Sequence, residues 1–66
     1  MSVIITKLDD RGTVVGYYSI KGDRARWSGV EDRATHFTYK GARAVLTWLR
    51  NTRSRLFTTY RLDARS

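Results

Sequence analysis

The sequence contains no cysteine, no proline and only one histidine among its 66 residues. The absence of cysteine excludes disulfides and thiolate metal sites. A single histidine would need several carboxylate partners to hold a metal ion, and the six Asp and Glu residues are scattered, so we expect neither a metal nor a cofactor. No run approaches the roughly 20 apolar residues that span a bilayer, and the chain opens without an apolar signal core. We therefore expect a cytoplasmic protein that binds neither a membrane nor a small-molecule substrate.

The chain is small and strongly basic. Its 66 residues show no repeat and no linker, which indicates a single domain. Thirteen Lys and Arg residues against six acidic residues give a net charge of +7. Ten of the thirteen cations are arginine, whose planar guanidinium binds phosphate or carboxylate through two hydrogen bonds. This charge is typical of nucleic-acid-binding domains. A codon bias toward arginine would explain the residue type, but less readily the net charge.

Three predicted strands open the chain. Residues 3–8 are mostly β-branched or apolar, residues 13–20 alternate between two faces, and residues 25–28 form a short third segment. The segments between them, 9–12 and 21–24, each combine Asp with Gly, a pair that favours turns. The sequence therefore predicts a three-stranded antiparallel meander.

A helix and a final strand follow. Ser28-Gly29-Val30-Glu31 fits the capping-box pattern and predicts a short helical turn that ends near Ala34. Thr38 then precedes apolar residues spaced i, i+3, i+4 and i+7, which predict a helix over about residues 39–51. Those positions are Ala42, Val45, Leu46 and Leu49, and we place Leu46 at the centre of the apolar face.

The closing segment, residues 56–62, alternates as a last strand. The resulting order is β-β-β-α-β, in which one main helix packs on one face of a small antiparallel sheet. This is an α+β fold.

Two surfaces are candidates for binding. On the helix, cations occupy positions i, i+3 and i+10 of one row, in which Thr47 is position i+7, and the row contains no acidic residue. Two further arginines continue the row past the end of the helix. These residues are Lys40, Arg43, Arg50, Arg53 and Arg55. A row of like charges repels itself and is better tolerated where a polyanion neutralises it. The alternative is an ordinary solvated helix face.

The second candidate surface is on the sheet. Arg24 and Arg26 share one side of the third strand, and Tyr17 lies on the solvent-facing side of its neighbour. An arginine beside an aromatic ring can contact phosphates and stack on bases. The alternative here is simple cross-strand packing of a half-exposed tyrosine. Trp27 and Trp48 are predicted to lie in the core.

No residue is predicted to be catalytic. His36 invites comparison with small ribonuclease toxins, but phosphate cleavage needs an acid and a base positioned together, and His36 fits a packing or capping role. Four acidic residues are explained by turns or caps, and Asp63 by a frayed chain end. The sequence shows no nucleophile–base signature, glycine-rich phosphate loop or zinc spacing. We expect a protein that is not an enzyme.

The order of landmarks along the chain resembles that of many short uncharacterised proteins of bacteriophages and prophages. The landmarks are Tyr17-Tyr18-Ser19-Ile20, Trp27-Ser28, Ala34-Thr35-His36-Phe37, and Ala42 at the head of an apolar helix before a closing strand. The resemblance covers about residues 17–62. It falls on predicted core positions, so it implies a shared fold and a phage origin rather than an activity.

Residues 38–62 are also similar to the helix–strand half of the small RNA polymerase inhibitor of lytic coliphages. The matching residues are Thr38, Ala42, Trp48, Phe57 and Arg61. The loop between the tryptophan and the phenylalanine is longer here, and the net charge differs. The resemblance implies a tiny non-catalytic protein that binds a host machine, with Arg61 among its contacts.

Together these observations lead to two expectations about function. The first is a monomeric or homodimeric phage-type accessory protein, acting in the cytoplasm of an infected or lysogenic bacterium, that binds nucleic acid or a nucleic-acid-handling host complex. The second is a protein-binding inhibitor of a host enzyme, such as RNA polymerase, a nuclease or a defence complex, with arginines as interface anchors.

Overall fold

A computed structural model describes residues 1–53 and 59–65 of the chain, with the side chains of residues 52 and 53 left out. Four strands and one long helix follow the predicted β-β-β-α-β order, and the α+β fold is confirmed. The elements are β1 (Ser2–Leu8), β2 (Val14–Lys21), β3 (Arg24–Ser28), a 3-10 turn (Glu31–Arg33), α1 (Tyr39–Arg53) and β4 (Thr59–Arg65). No helix within the described ranges has both the length and the apolar character needed to cross a bilayer.

The sheet is antiparallel, and its strand order is β3-β2-β1-β4. Strand β1 is central, and it pairs with β4 from Ser2 opposite Arg65 to Leu8 opposite Thr59. Its pairing with β2 is much shorter, beginning at Thr6 opposite Tyr17 and shifting register before Leu8. The two edges are therefore β3 and β4.

A segment between the 3-10 turn and α1 fills the gap where β1 and β2 diverge. The amide of Phe37 donates to the Val3 carbonyl at 2.8 Å, and the Val3 amide donates to the Phe37 carbonyl at 2.9 Å. On the other side, the Thr35 amide donates to the Tyr18 carbonyl at 2.9 Å, and the Thr35 hydroxyl accepts from the Ile20 amide at 2.7 Å. These bonds satisfy backbone groups that the shortened β1–β2 ladder leaves unpaired.

The turns have the chemistry that the sequence predicts. The Asp9 carboxylate accepts from the amides of Arg11 and Thr13, both at 2.9 Å, which is an Asx-type turn. Gly12 and Gly22 have φ angles of 80° and 64°, a region that favours glycine.

The predicted capping box is wrong. The hydroxyl of Ser28 accepts from the Val30 amide at 3.1 Å, and no side chain caps the 3-10 turn. Glu31 instead forms an ion pair with Arg65 at 2.7 Å. Because the turn contacts β2 and reaches β4, it passes over β1 on the face away from the helix, where Ile4 is buried.

Helix α1 begins where the sequence predicts. The hydroxyl of Thr38 accepts from the Gly41 amide at 3.1 Å, which is an N-cap bond. The apolar face is phased as predicted, but its centre is not Leu46, which is only half-buried. Leu49 and Ala42 are the buried residues, packed with Val3, Ile5 and Tyr18 of the sheet.

An aromatic stack crosses the helix-side face of the sheet. The rings of Trp27 on β3 and Tyr60 on β4 stack with centroids 5.7 Å apart, although their strands are at opposite edges. Gly16 makes this possible, because a Cβ there would lie 3.2 Å from the Cβ of Trp27. The ammonium of Lys7 lies 5.2 Å from the indole centroid. Trp27 thus belongs to the core as predicted, whereas Trp48 is 50% exposed and does not.

The last strand extends further than predicted. The sequence favours a strand over residues 56–62, and β4 runs over Thr59–Arg65, while residues 56–58 lie outside the described part of the chain. Asp63 therefore lies inside a paired strand, opposite Ile4, and not at a frayed end.

Candidate nucleic-acid interface

The six predicted binding residues whose side chains the structure describes fall into two separate groups. Three of them are exposed on α1, and three others are exposed on the sheet face that points away from α1. The first group is Lys40, Arg43 and Arg50, and the second is Arg24, Arg26 and Arg61. Arg53 is the last residue of α1, with its side chain outside the description, and Arg55 lies outside the described residues.

We call Lys40, Arg43 and Arg50 the helix stripe. At about 100° per residue these three positions fall within an arc of roughly 80°, and they span about 15 Å along the axis. The fifteen residues of α1 contain no Asp or Glu. No ion pair within residues 1–53 and 59–65 involves the stripe, whose positive charge is therefore not balanced by a neighbouring carboxylate.

Tyr39 extends the helix stripe toward its N-terminal end. It is the first residue of α1 and is 61% exposed. The guanidinium carbon of Arg43 lies 5.9 Å from the centroid of its ring, a cation–π arrangement between residues one turn apart. Neither binding surface predicted from the sequence includes Tyr39, although its i, i+4 spacing from Arg43 was a usable signal.

Arg24 and Arg26 lie on the edge strand β3, on the sheet face that points away from α1, which we call the far face. Register pairs them with Lys21 and Ser19 of β2, and alternation puts Tyr17 on the same face. The predicted grouping of these two arginines with Tyr17 is thus reproduced by the sheet register. The surface is separated from Arg61 by three strand spacings, about 14 Å.

Arg61 on the opposite edge is occupied by an intramolecular ion pair. Its Nε donates to a carboxylate oxygen of Asp63 at 2.8 Å, and the Thr6 hydroxyl donates to the other carboxylate oxygen at 2.8 Å. Burial of the Asp63 carboxylate acts to raise its pKa. Hydrogen bonds from Arg61 and Thr6, together with the charges of Arg61 and Arg65, outweigh burial and hold the pKa below its ordinary value of 3.8.

The far face therefore carries its own counter-charges. Asp63 balances Arg61, and Glu31 balances Arg65, whose pKa is raised by the hydrogen bond to Glu31. Arginine side chains that are already bound to carboxylates are less available to a phosphate. Within the second group only Arg61 is neutralised in this way, because Arg24 and Arg26 form no ion pair among the described residues. The helix stripe has three such cations on one element that contains no acidic residue.

An apolar groove runs beside the helix stripe, between α1 and the β2–β3 side of the sheet. It has a volume of about 390 Å³ and is lined by Tyr18, Ala44, Val45 and Trp48. The exposed half of Trp48 lies along this groove. The groove gives α1 a second exposed surface. This surface is apolar, whereas the helix stripe is positively charged.

The remaining polar candidate is His36. It is exposed, and its Nδ1 lies 2.6 Å from the Ser2 hydroxyl oxygen, which also donates to the Arg65 carbonyl at 3.3 Å. The exposed ring does not have the packing role that the sequence indicates. Among the described residues, no group of three or more His, Asp and Glu side chains is placed to hold a metal ion.

Comparisons with protein-family models, with curated proteins and with solved structures found no match for the chain. The resemblance to phage proteins rests on the sequence landmarks alone and stays a prediction.

Proposed function

We propose that the outer face of α1 binds nucleic acid through its phosphates. The observation that carries this proposal is the helix stripe, in which three exposed cations share one arc of a helix that contains no acidic residue. A polyanion would neutralise the repulsion among these cations, and counterions released from the nucleic acid would favour binding. In this role the protein is a small non-catalytic accessory protein that acts in the cytoplasm. It is of the type found in the phage proteins whose sequence landmarks it resembles.

A salt titration tests this function. If each of the three cations neutralises one phosphate, the logarithm of affinity for a short duplex falls with the logarithm of salt concentration at a slope of about −2.7. The double variant Arg43→Glu, Arg50→Glu should bind weakly, with a slope of about −0.9, and the loss should be similar for all sequences because phosphate contacts carry no sequence information.

The matched control is Arg24→Glu, Arg26→Glu. Both double variants lower the net charge from +7 by four, to +3, so they differ only in which face of the molecule is changed. The control should keep the wild-type slope. If the control loses binding and the helix variant does not, the site lies on the sheet. If the wild type binds neither a duplex nor a single strand even at low salt, the proposed function is wrong.

A second candidate function is inhibition of a host enzyme through direct protein contact. The apolar groove, bordered by the half-exposed Trp48, favours it, because buried tryptophans and arginines dominate protein interfaces. The net charge of +7 disfavours a second copy as occupant and favours a partner with an acidic surface around an apolar side chain. The test is the capture of host proteins from nuclease-treated lysate. Capture of one protein that is lost in a folded Trp48→Ser variant, and kept in the double variant Arg43→Glu, Arg50→Glu, would support this function over the first.

A further inference from the structure

An exposed aromatic ring shares the arc of the helix stripe. At about 100° per residue, Tyr39 falls roughly 20° from Arg50 and 40° from Arg43 around the axis of α1. Isolated exposed aromatics are common on protein surfaces and need no function. Tyr39 differs because it is 61% exposed and the guanidinium of Arg43 lies over its ring. Arg43 belongs to the helix stripe and forms no ion pair among the described residues.

Cations and rings select different features of a nucleic acid. Lysine and arginine side chains contact the phosphates of duplexes and single strands alike. An aromatic ring at the surface can stack only on a base whose face is free, and such faces are available in single strands, loops and ends but not within a duplex. A guanidinium beside the ring adds a second planar surface for the same base or its neighbour.

We propose that α1 binds single-stranded nucleic acid, with Tyr39 as the stacking surface for an unpaired base and the helix stripe as the phosphate contact. The proposal rests on the proposed function, because it requires the stripe to bind phosphates. It adds the class of ligand, which the charges alone leave open. The stripe spans about 15 Å, so a short stretch of strand is sufficient to reach from Arg50 to Tyr39.

Trp48 is the competing stacking residue on this helix. It is 50% exposed, but it lies about 80° from Lys40 on the side opposite Tyr39 and borders the apolar groove. A base on Trp48 would lie beside Ala44 and Val45, away from Arg43 and Arg50. Variants at the two positions therefore distinguish a base bound over the stripe from one bound in the groove.

The experiment pairs variants of the protein with variants of the ligand. Fluorescence anisotropy at low salt measures the binding of the wild type, Tyr39→Leu, Tyr39→Phe and Trp48→Leu to a single strand of about 12 nucleotides, as DNA and as RNA. Each is compared with the same strand carrying abasic sites, which keeps the phosphates and removes the bases, and with a duplex. Circular dichroism checks that each variant is folded.

The proposal predicts that Tyr39→Leu weakens single-strand binding about tenfold, that Tyr39→Phe and Trp48→Leu do not, and that duplex binding is unchanged. Abasic sites should weaken the wild type by a similar factor and leave Tyr39→Leu unaffected, because both changes remove the same stack. A difference between the DNA and RNA strands would assign a contact to the 2′-hydroxyl.

Three results would overturn the proposal, and they differ from failure of the proposed function. Equal binding of the intact and abasic strands by the wild type would show phosphate contact without stacking. Loss in Trp48→Leu but not in Tyr39→Leu would move the base to the groove. If the duplex binds as tightly as the single strand, and if Tyr39→Leu changes neither affinity, the helix stripe binds duplexes and Tyr39 has no part in binding. Absence of binding to every ligand would instead reject the proposed function itself.

Discussion

Asp63 joins two polar side chains, one on β1 and one on β4, on the far face of the sheet. It accepts from Arg61 and from Thr6, and the Thr6 side chain has no exposed surface. A buried hydroxyl without an acceptor costs about 1–3 kcal/mol. We therefore predict that Asp63→Ala lowers the free energy of unfolding at pH 7 by about this amount in urea titrations, and that Asp63→Asn, which keeps an acceptor for Thr6, costs less.

The same carboxylate makes stability depend on pH. Its pKa in the folded protein is lowered, so between the folded and unfolded values the native state binds fewer protons and stability rises with pH. The contribution of Asp63 is complete well above 3.8 and is lost as the pH falls through the folded value. Stability measured at descending pH should decline less steeply in Asp63→Asn than in the wild type. Parallel declines would show that the ion pair does not form.

Gly16 is the position where a single methyl group should be costly. Its added Cβ would lie 3.2 Å from the Cβ of Trp27 and 3.7 Å from its ring. We predict that Gly16→Ala lowers stability, because overpacking costs about 1–3 kcal/mol. That exceeds the roughly 0.4–1 kcal/mol gained from a stiffer unfolded chain.

Gly29→Ala is the control for Gly16→Ala. Nothing lies within 4 Å of a Cβ at Gly29, and its φ is not positive, so this variant should be neutral or slightly stabilising. Thermal unfolding followed by near-ultraviolet circular dichroism, to which the tryptophan and tyrosine rings contribute, compares the two. A stable Gly16→Ala variant would mean that the Trp27–Tyr60 stack shifts at little cost.

At the level of single residues, sequence reasoning succeeded where partners are local. The Asp9 turn and the Thr38 cap both bind amides within four residues, and both were predictable. Asp63 has one local partner, Arg61, but Asp63 and Glu31 also bind side chains 57 and 34 residues away. Nothing near them in the chain indicated these distant contacts. The capping-box pattern failed for this reason, since its glutamate is bound to a distant arginine.

Helix α1 shows how far periodicity determines an element. The spacing predicted both its extent and its buried side, but not the depth of each position. Leu49 is 1% exposed and lies in the core, whereas Leu46 is half-buried at its margin. We predict that Leu49→Ala lowers the free energy of unfolding by about 2–5 kcal/mol and that Leu46→Ala costs clearly less. Equal losses in urea titrations would contradict this assignment of the core.

The connection from β3 to α1 was the least predictable element. Its residues 35–37 complete the hydrogen bonding of β1 and β2, yet neither alternation nor composition distinguishes them from an ordinary loop. Their pairing depends on how far apart two other strands lie, which is a property of the sheet and not of the segment. The same limit applies to Trp48. Its spacing along the helix is compatible with a core position, but it borders a shallow groove and is therefore half-exposed.

Over the whole molecule, the charge of +7 is divided between two faces with different chemistry. The composition predicted a basic surface, but only the topology shows that the cations of the helix stripe and those of the far face lie on opposite sides of the sheet. The far face contains the carboxylates of Asp63 and Glu31. The three cations of the helix stripe form no ion pair among the described residues and lie on a helix without acidic residues, which favours the helix as the binding surface.

The side-by-side placement of β1 and β4 has a consequence for the speed of folding. The first and last strands pair along their whole length, from Ser2 opposite Arg65 to Leu8 opposite Thr59. This contact closes a very long loop and should slow folding, because rates in small domains fall as contacts become less local. A circular permutant opened at the exposed Arg11 and joined from β4 to β1 by a two-residue hairpin loop keeps these strand pairs while making that contact local. The β1–β2 ladder then becomes the long-range contact, but it is shorter than the β1–β4 ladder, so such a chain should fold faster than the parent in stopped-flow refolding.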